Sequence, residues 1–465
     1  MNHEEKQYNK MVNTPIKRLI MSLAAPTIVS MLITSIYNLA DTFFVSQLGV
    51  SASGAVGVVF PVMAIIQAVG FTLGMGGGSN ISAKLGEKKD VEAQRIGSSA
   101  FYSALLIGTI IAIFGLLFVD NIMKMLGATD TVLPHASAYA NYIFIGAPIM
   151  AASFVLNNIL RSEGKAKFAM VGLTTGGLLN IALDPIFIHT FNMGTAGAAV
   201  ATIISQSVSF LILLSFFLTR KSIITLSPKY IAFNAKPYLE IIGVGLPSLI
   251  RQGFSSVSSI ILNTQAGAIG GDPALSAMSI VTKITMVIFG VALGIGQGFQ
   301  PVCGYNYSSK NYKRVKQAII FTFIMCTIVM SVLGGVFYLT SDFFVELFIK
   351  DEEANVLKVI EIGGQALRFV CIVMPTMGVN LLANMSYQAM RKKWRATLLS
   401  SCRHGIFFIP LGLILPSVIG LVGVELIQPA ADLCTALFSI PFLVGIIKHL
   451  NKLDKQQNEL QLKNA

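Results

Sequence analysis

Twelve windows of predominantly apolar residues, separated by short polar stretches, run from residue 19 to residue 447. A span across roughly 30 Å of hydrocarbon takes about 20 such residues, and every window supplies them. The windows cover 19–46, 53–83, 96–119, 133–159, 168–190, 195–218, 238–265, 275–300, 315–340, 357–389, 396–416 and 420–447. With 54% of 465 residues hydrophobic and only 12% charged, the chain holds more apolar side chain than a water-soluble core could bury. Lipid must be its solvent. Gly and Pro recur inside the windows, which lipid-embedded helices tolerate where neighbours re-satisfy the backbone, so the expected fold class is an all-α polytopic membrane protein rather than a barrel. The first window is long, follows a polar segment and lacks a small-residue cleavage site, so it reads as a retained span.

A net charge of +12 would suggest nucleic acid if it were clustered, but it is spread along the chain. Basic residues sit in the N-terminal tail (Lys6, Lys10, Lys17, Arg18), in alternate loops such as Lys84–Arg95, Arg161–Lys167, Arg220–Lys236, Lys310–Lys316 and Arg391–Arg395, and in the C-terminal tail from Lys448 to Lys463. The other side carries Lys124, Lys350 and Lys358. This is the positive-inside pattern of twelve spans, and it places both termini in the cytoplasm of a multi-pass inner-membrane protein with no nucleic-acid partner. Cys303, Cys326, Cys371, Cys402 and Cys434 have no metal-like spacing and read as helix-packing residues.

The chain is internally duplicated. Leu73-Gly74-Met75-Gly76-Gly77-Gly78 near the end of the second window recurs as Leu293-Gly294-Ile295-Gly296-Gln297-Gly298 near the end of the eighth. Pro26 pairs in the same order with Pro247, Pro148 with Pro375, and Gly194/Gly197 with Gly420/Gly423. Six windows per half make the repeat parallel, giving two pseudo-symmetric six-helix bundles: an N-terminal lobe over 1–218, a cytoplasmic linker over 219–237, and a C-terminal lobe over 238–465 with a basic tail. Transporters built this way bind substrate between the halves and rock one against the other. The glycine runs lie inside apolar spans, which suits close helix contact rather than a phosphate cradle.

A carboxylate near the bilayer centre costs about 3 kcal/mol, so each one kept there needs a reason. Asp41, Asp184, Glu425 and Asp432 lie deep in the windows. Tyr37 and Asn38 sit one turn before Asp41, Asn180 one turn before Asp184, and Thr202 one turn before Gln206, with Ser205 beside it, so three helices of one half carry polar stripes. If the stripes face each other, two carboxylates, an amide oxygen and a hydroxyl surround a site of hard oxygen ligands suited to a proton or to Na⁺. Two like charges in a low dielectric cannot both stay ionised cheaply, so one takes a proton or the pair shares a cation. The alternative is that Asp41 and Asp184 are structural hydrogen-bond links between helices. Pro26 and Pro185 free backbone carbonyls and allow bends. Glu425 and Asp432 either line a cavity that attracts a cationic substrate or pair with Arg251, Arg368, Lys283 or Arg403.

No nucleotide-binding loop, metal-ligand cluster or nucleophile–base constellation is visible, so the chain reads as no enzyme and needs no cofactor beyond its coupling ion. Energy must come from an ion gradient.

Several motifs together resemble the multidrug and toxic compound extrusion (MATE) family. They are Ala25-Pro26 with Tyr37-Asn38-Leu39-Ala40-Asp41-Thr42, the Gly-rich run followed by Ala83-Lys84-Leu85-Gly86, Asn180-Ile181-Ala182-Leu183-Asp184-Pro185, Gly194-Thr195-Ala196-Gly197-Ala198-Ala199 and Gly304-Tyr305-Asn306-Tyr307. The likeness covers about residues 20–447, and within the family it is to bacterial and archaeal members of the DinF-like or MepA-like type. It implies a V-shaped cleft between two lobes and export of organic cations and other xenobiotics in exchange for H⁺ or Na⁺. It also implies a cation site at Asp41, Asn180, Asp184 and Thr202, with Tyr37 in the same network. Small organic cations and membrane lipid are the expected partners of a monomer. A flippase for a lipid-linked oligosaccharide or related amphiphile is the second reading, although its cavity should be strongly cationic.

Overall fold

The structure, a computed structural model, describes residues 3–349 and 356–464. Lys350, assigned above to the sparsely charged side, and the termini Met1 and Ala465 that bound the two lobes lie outside the described residues. Within them the chain is helical, with no strand.

Among the described residues ten helices are long and apolar enough to cross a membrane. They begin with α2 (Ile16–Ser46), α3 (Val50–Gly86), α4 (Asp90–Leu117), α6 (Leu133–Ser162), α7 (Ala166–Pro185, continued by a π-turn over Ile186–Thr190) and α8 (Gly194–Leu218). After these come α9 (Ala235–Ser308), α10 (Tyr312–Leu339), the pair α12 (Val356–Val373) and α13 (Met377–Ala389), and finally α14 (Lys393–Ser401) running through a π-turn at Cys402–Ile406 into α15 (Phe408–Asn464). Two of the ten are double. Gly271 (φ 64, ψ −158) breaks α9, and Ile419 with Gly420 (φ 61, ψ −134) breaks α15, so each carries two spans. Dividing them there gives the twelve spans of the sequence reading, at the places where its seventh and eleventh windows end. Glycine adopts this positive φ without a Cβ penalty, which lets the backbone turn within one or two residues.

Three short helices lie between or beside the spans: α1 (His3–Asn13), α5 (Val119–Met125) and α11 (Ser341–Glu346). They are too short to read as spans from hydropathy, and α1 buries one face, with Met11 fully covered while Lys10 stays outside.

Packing is inverted relative to a soluble protein. On α4 the buried residues include Ile96 and Phe101 but are mostly small, among them Ala93, Gly97, Ala100, Ala104, Gly108, Ala112 and Gly115, whereas Leu106, Ile110, Ile113, Phe114 and Leu117 are exposed. On α10 the exposed stripe is Ile320, Ile324, Ile328, Val332 and Val336, one residue per turn. Large apolar side chains face outward because lipid takes them as readily as a core does, and small ones face inward because close backbone approach supplies the attraction between helices. A Cβ on Gly108 would stand 2.6 Å from the Cα of Pro148.

The glycine runs act in this way. A Cβ on Gly76 would meet the backbone oxygen of Ile241 at 2.0 Å, one on Gly245 would meet that of Thr72 at 2.0 Å, and Gly74 and Gly78 press on Asn158. In the second run Gly296 presses on Met385. These are helix contacts, as the apolar setting suggested.

The duplication extends to backbone detail. Positive φ recurs at matching turns, at Gly49 and Gly271, Lys88 and Lys310, Gly164 and Arg391, and Gly194 and Gly420. Asn157 donates to the carbonyl of Ala169 at 3.0 Å, and Asn384 to that of Ala396 at 2.6 Å, each bridging a helix pair twelve positions on. By contact the chain forms two compact units. The first runs to Leu249 inside α9, with 219–237 included; the second runs from Ile250 and includes Pro15–Ile20.

Candidate functional site

In the first unit, α2, α7 and α8 bring their polar stripes together. Asn180 is the hub: its amide donates to Asp184 Oδ1 at 3.1 Å on its own helix and to Thr202 Oγ1 at 3.4 Å on α8. Asp184 is fully buried, and Asn180 and Thr202 nearly so. Asp41 on α2 is close enough to Asp184 for their charges to interact. Tyr37 neighbours Asp41 and reaches Gln206 of α8.

Several buried oxygens of this cluster have no hydrogen-bond partner: Asp41 Oδ1, Asn180 Oδ1, Asp184 Oδ2 and Ser205 Oγ. Buried polar atoms are almost always paired, so this convergent set of orphan acceptors could hold a proton or a cation. The donor chemistry fits: carboxylate, amide and hydroxyl oxygens are hard ligands of the kind that alkali and alkaline-earth cations take. Among the described residues no group of three His, Cys, Asp or Glu gathers.

Asn38 does not share the cluster's hydrogen bonds; its backbone oxygen accepts from Thr42 Oγ1 at 2.9 Å. Pro26 lies fifteen residues before Asp41 inside α2, and its carbonyl accepts from Ser30 Oγ at 2.9 Å. Tyr139 of α6 was missed by the sequence reading. It is completely buried, its hydroxyl donates to Met63 Sδ at 3.9 Å, and Asp41, Asp184, Tyr37 and Thr202 are near enough to act on it electrostatically. Its window holds no carboxylate, so only three-dimensional packing reveals it.

In the second unit the two acids of α15 part company. Asp432 takes a two-pronged ion pair from Arg403 (Nε to Oδ1 2.6 Å, Nη2 to Oδ2 3.2 Å) and accepts from Gln428 at 3.0 Å. This is the pairing alternative of the sequence reading; Asp432 also lines a cavity, alongside Arg251 and Arg403. Glu425 is buried with Oε2 unpaired and lies outside that cavity's lining. Of the other proposed partners, Arg368 pairs with Asp342 at 2.5 Å and Lys283 is exposed.

A second missed residue is Glu163, in the turn between α6 and α7. It is fully buried and accepts from Ser222 Oγ (2.5 Å), Ile223 N (2.9 Å) and Ile224 N (3.1 Å), with Lys165 Nζ at 3.4 Å. Lys165 also donates to the carbonyl of Lys221, and Gln7 of α1 donates to the carbonyl of Glu163 at 2.7 Å. Burial pulls the Lys165 amine below the usual lysine range, and Glu163 opposes that shift. Farther along, Gln94, Ser98 and Ser99 of α4 bind the backbone of Ile223, Thr225 and Ala232. The segment joining the halves is thereby strapped to the first unit. Glu163 gave no sequence signal because its partners lie about sixty positions on, in a segment without hydrophobic period.

The profile of the MatE family matches residues 26–186 and 247–414, most of the chain and both halves of it. The chain belongs to the MATE family. Among its relatives is Multidrug export protein MepA of Staphylococcus saprophyticus, 26% identical over 442 residues, which span 94% of this chain and 95% of that one. A multidrug resistance MATE family transporter of the MOP superfamily, solved in an outward-facing conformation, superposes with a TM-score of 0.91 at 26% identity, covering 97% and 99% of the two chains. A MOP superfamily transporter from Pyrococcus furiosus, described as having a binding pocket of reverse polarity that suggests a different function, superposes at 0.90 with 26% identity and 96% and 99% coverage. MATE membership agrees with the twelve spans found here, and the protein is a multi-pass membrane protein.

Proposed function

We propose that this MATE protein is a secondary active antiporter that exports organic cations and other xenobiotics in exchange for H⁺ or Na⁺. The observation that carries the reading is the orphaned oxygen set of Asp41, Asn180 and Asp184, held by Thr202 and Tyr37 in the half that also contains Pro26. An ion entering this set relieves the repulsion between two buried carboxylates, lets α2, α7 and α8 close on it, and bends α2 near Pro26. The ion must leave before the oxygens can serve the next cycle, which ties its movement to that of the cargo. In this reading Asn38, Ser205 and Gln206 are polar lining in the first unit and Glu425 is polar lining in the second. The protein sits in the inner membrane with both termini in the cytoplasm, as the distribution of Lys and Arg over the loops supports. It is monomeric, with lipid against the exposed faces of α4 and α10.

Cells lacking their own efflux pumps and producing this protein should accumulate less ethidium than control cells and regain full accumulation when the ion gradients are collapsed. Equal accumulation with and without the protein, at verified membrane levels, would remove the efflux reading and leave the lipid-linked amphiphile as cargo.

A further inference from the structure

The cavity in the second unit differs in chemistry from the acid cluster of the first. Its volume is about 40 Å³, and Arg251, Phe289, Asn384, Arg403, His404 and Asp432 are among the side chains around it. Two guanidiniums and one carboxylate therefore line it, so its charged groups sum to an excess of positive charge inside a membrane-spanning bundle.

Arg403 is built into place. It sits in the π-turn Cys402–Ile406, where Phe407 N reaches back to Cys402 O at 3.1 Å, and this extra residue redirects the side chains that follow α14. The ring of Phe289 covers one face of the guanidinium, 4.2 Å from Cζ, and the side chain is 11% exposed. Its ion pair with Asp432 uses Nε and Nη2. A guanidinium carries five N–H groups in a fixed fork, so most of the Nη1 side stays unused by protein. Asp432 in turn is engaged by both Arg403 and Gln428. His404 follows in the same turn; its carbonyl accepts from Ser258 Oγ at 2.6 Å, and its Nδ1 is buried without a partner.

We propose that this cavity is an anion subsite that takes the carboxylate group of a small organic acid on the free edge of Arg403, with Asp432 as the internal carboxylate that competes for the same guanidinium. The charge excess selects against a cation. The flat fork of Arg403 matches a carboxylate in two-pronged geometry. On this measure, the volume open to the centre of a water-sized sphere, a single water needs about 10–15 Å³, so the cavity has room for a small charged group.

The test is binding of benzoate to the purified full-length protein in detergent, read as the shift of its melting temperature and by calorimetry, at constant ionic strength. Benzoate should raise the melting temperature, while the neutral isostere benzamide and sodium chloride should not. Asp432→Asn should bind benzoate more tightly, by roughly tenfold, because it withdraws the competing charge from the fork. The double variant Arg403→Gln/Asp432→Asn removes both charges together, which avoids stranding either one, and should lose binding. Equal shifts with benzamide or chloride, weaker binding by Asp432→Asn, or binding retained in the double variant would overturn the proposal. The site stands apart from the efflux reading: benzoate binding in a protein that exports no ethidium supports the site and sinks only that reading.

Discussion

Asp184→Asn protein should insert and fold normally and yet lose gradient-driven export, with the rate falling roughly tenfold or more, a change of at least about 1.4 kcal/mol in the limiting barrier. Asp41→Asn should do the same. The substitution keeps the size of the side chain and leaves an oxygen to accept the Asn180 hydrogen bond that now reaches Asp184 Oδ1 at 3.1 Å. What it removes is the capacity to hold a proton or to neutralise a cation. This separates the two readings of the cluster. If Asp41 and Asp184 were only struts between α2, α7 and α8, the amide would serve nearly as well, and export by normally inserted protein would continue at the wild-type rate.

Glu163→Ala should be the most destabilising single change at the segment that joins the halves. It strands the hydroxyl of Ser222 and two backbone amides and removes the carboxylate opposite the Lys165 amine in a place closed to water. Breaking a buried charge pair by removing one partner costs on the order of 3 kcal/mol, and each orphaned donor adds to it. Thermal unfolding in detergent should show a clear fall in melting temperature for Glu163→Ala. A smaller fall is expected for Glu163→Gln, which keeps one accepting oxygen and loses the ion pair with Lys165. Unchanged melting of the alanine variant would mean that Ser222–Ile224 is held by other contacts.

The fold was largely legible because lipid imposes a strong rule on sequence: each span must be apolar along its length, so twelve windows and their basic loops can be read directly. The helices extend beyond the windows, as in α9 and the end of α15, because helical turns continue into polar residues that hydropathy excludes. The acid cluster was legible for a related reason. Asp41 and Asp184 stood out against an apolar background, and one-turn spacing pointed to Tyr37, Asn180 and Thr202. Tyr139 did not stand out, since an aromatic residue in an apolar helix gives no contrast. Glu163 escaped because it lies in a polar turn, where acids are ordinary, and only its burial beneath 219–227 makes it exceptional. Arg403 and Asp432 could be named as candidates from sequence, but several basic residues competed for the pairing, and the π-turn that aims Arg403 has no sequence signature.

The most direct test of the central claim is uptake of a fluorescent organic cation into proteoliposomes under an imposed pH gradient or an imposed Na⁺ gradient, with Asp41→Asn protein as control. The account predicts transport driven by one of the two gradients and lost in the control. Transport that ignores both gradients, or that the control performs equally well, would contradict it.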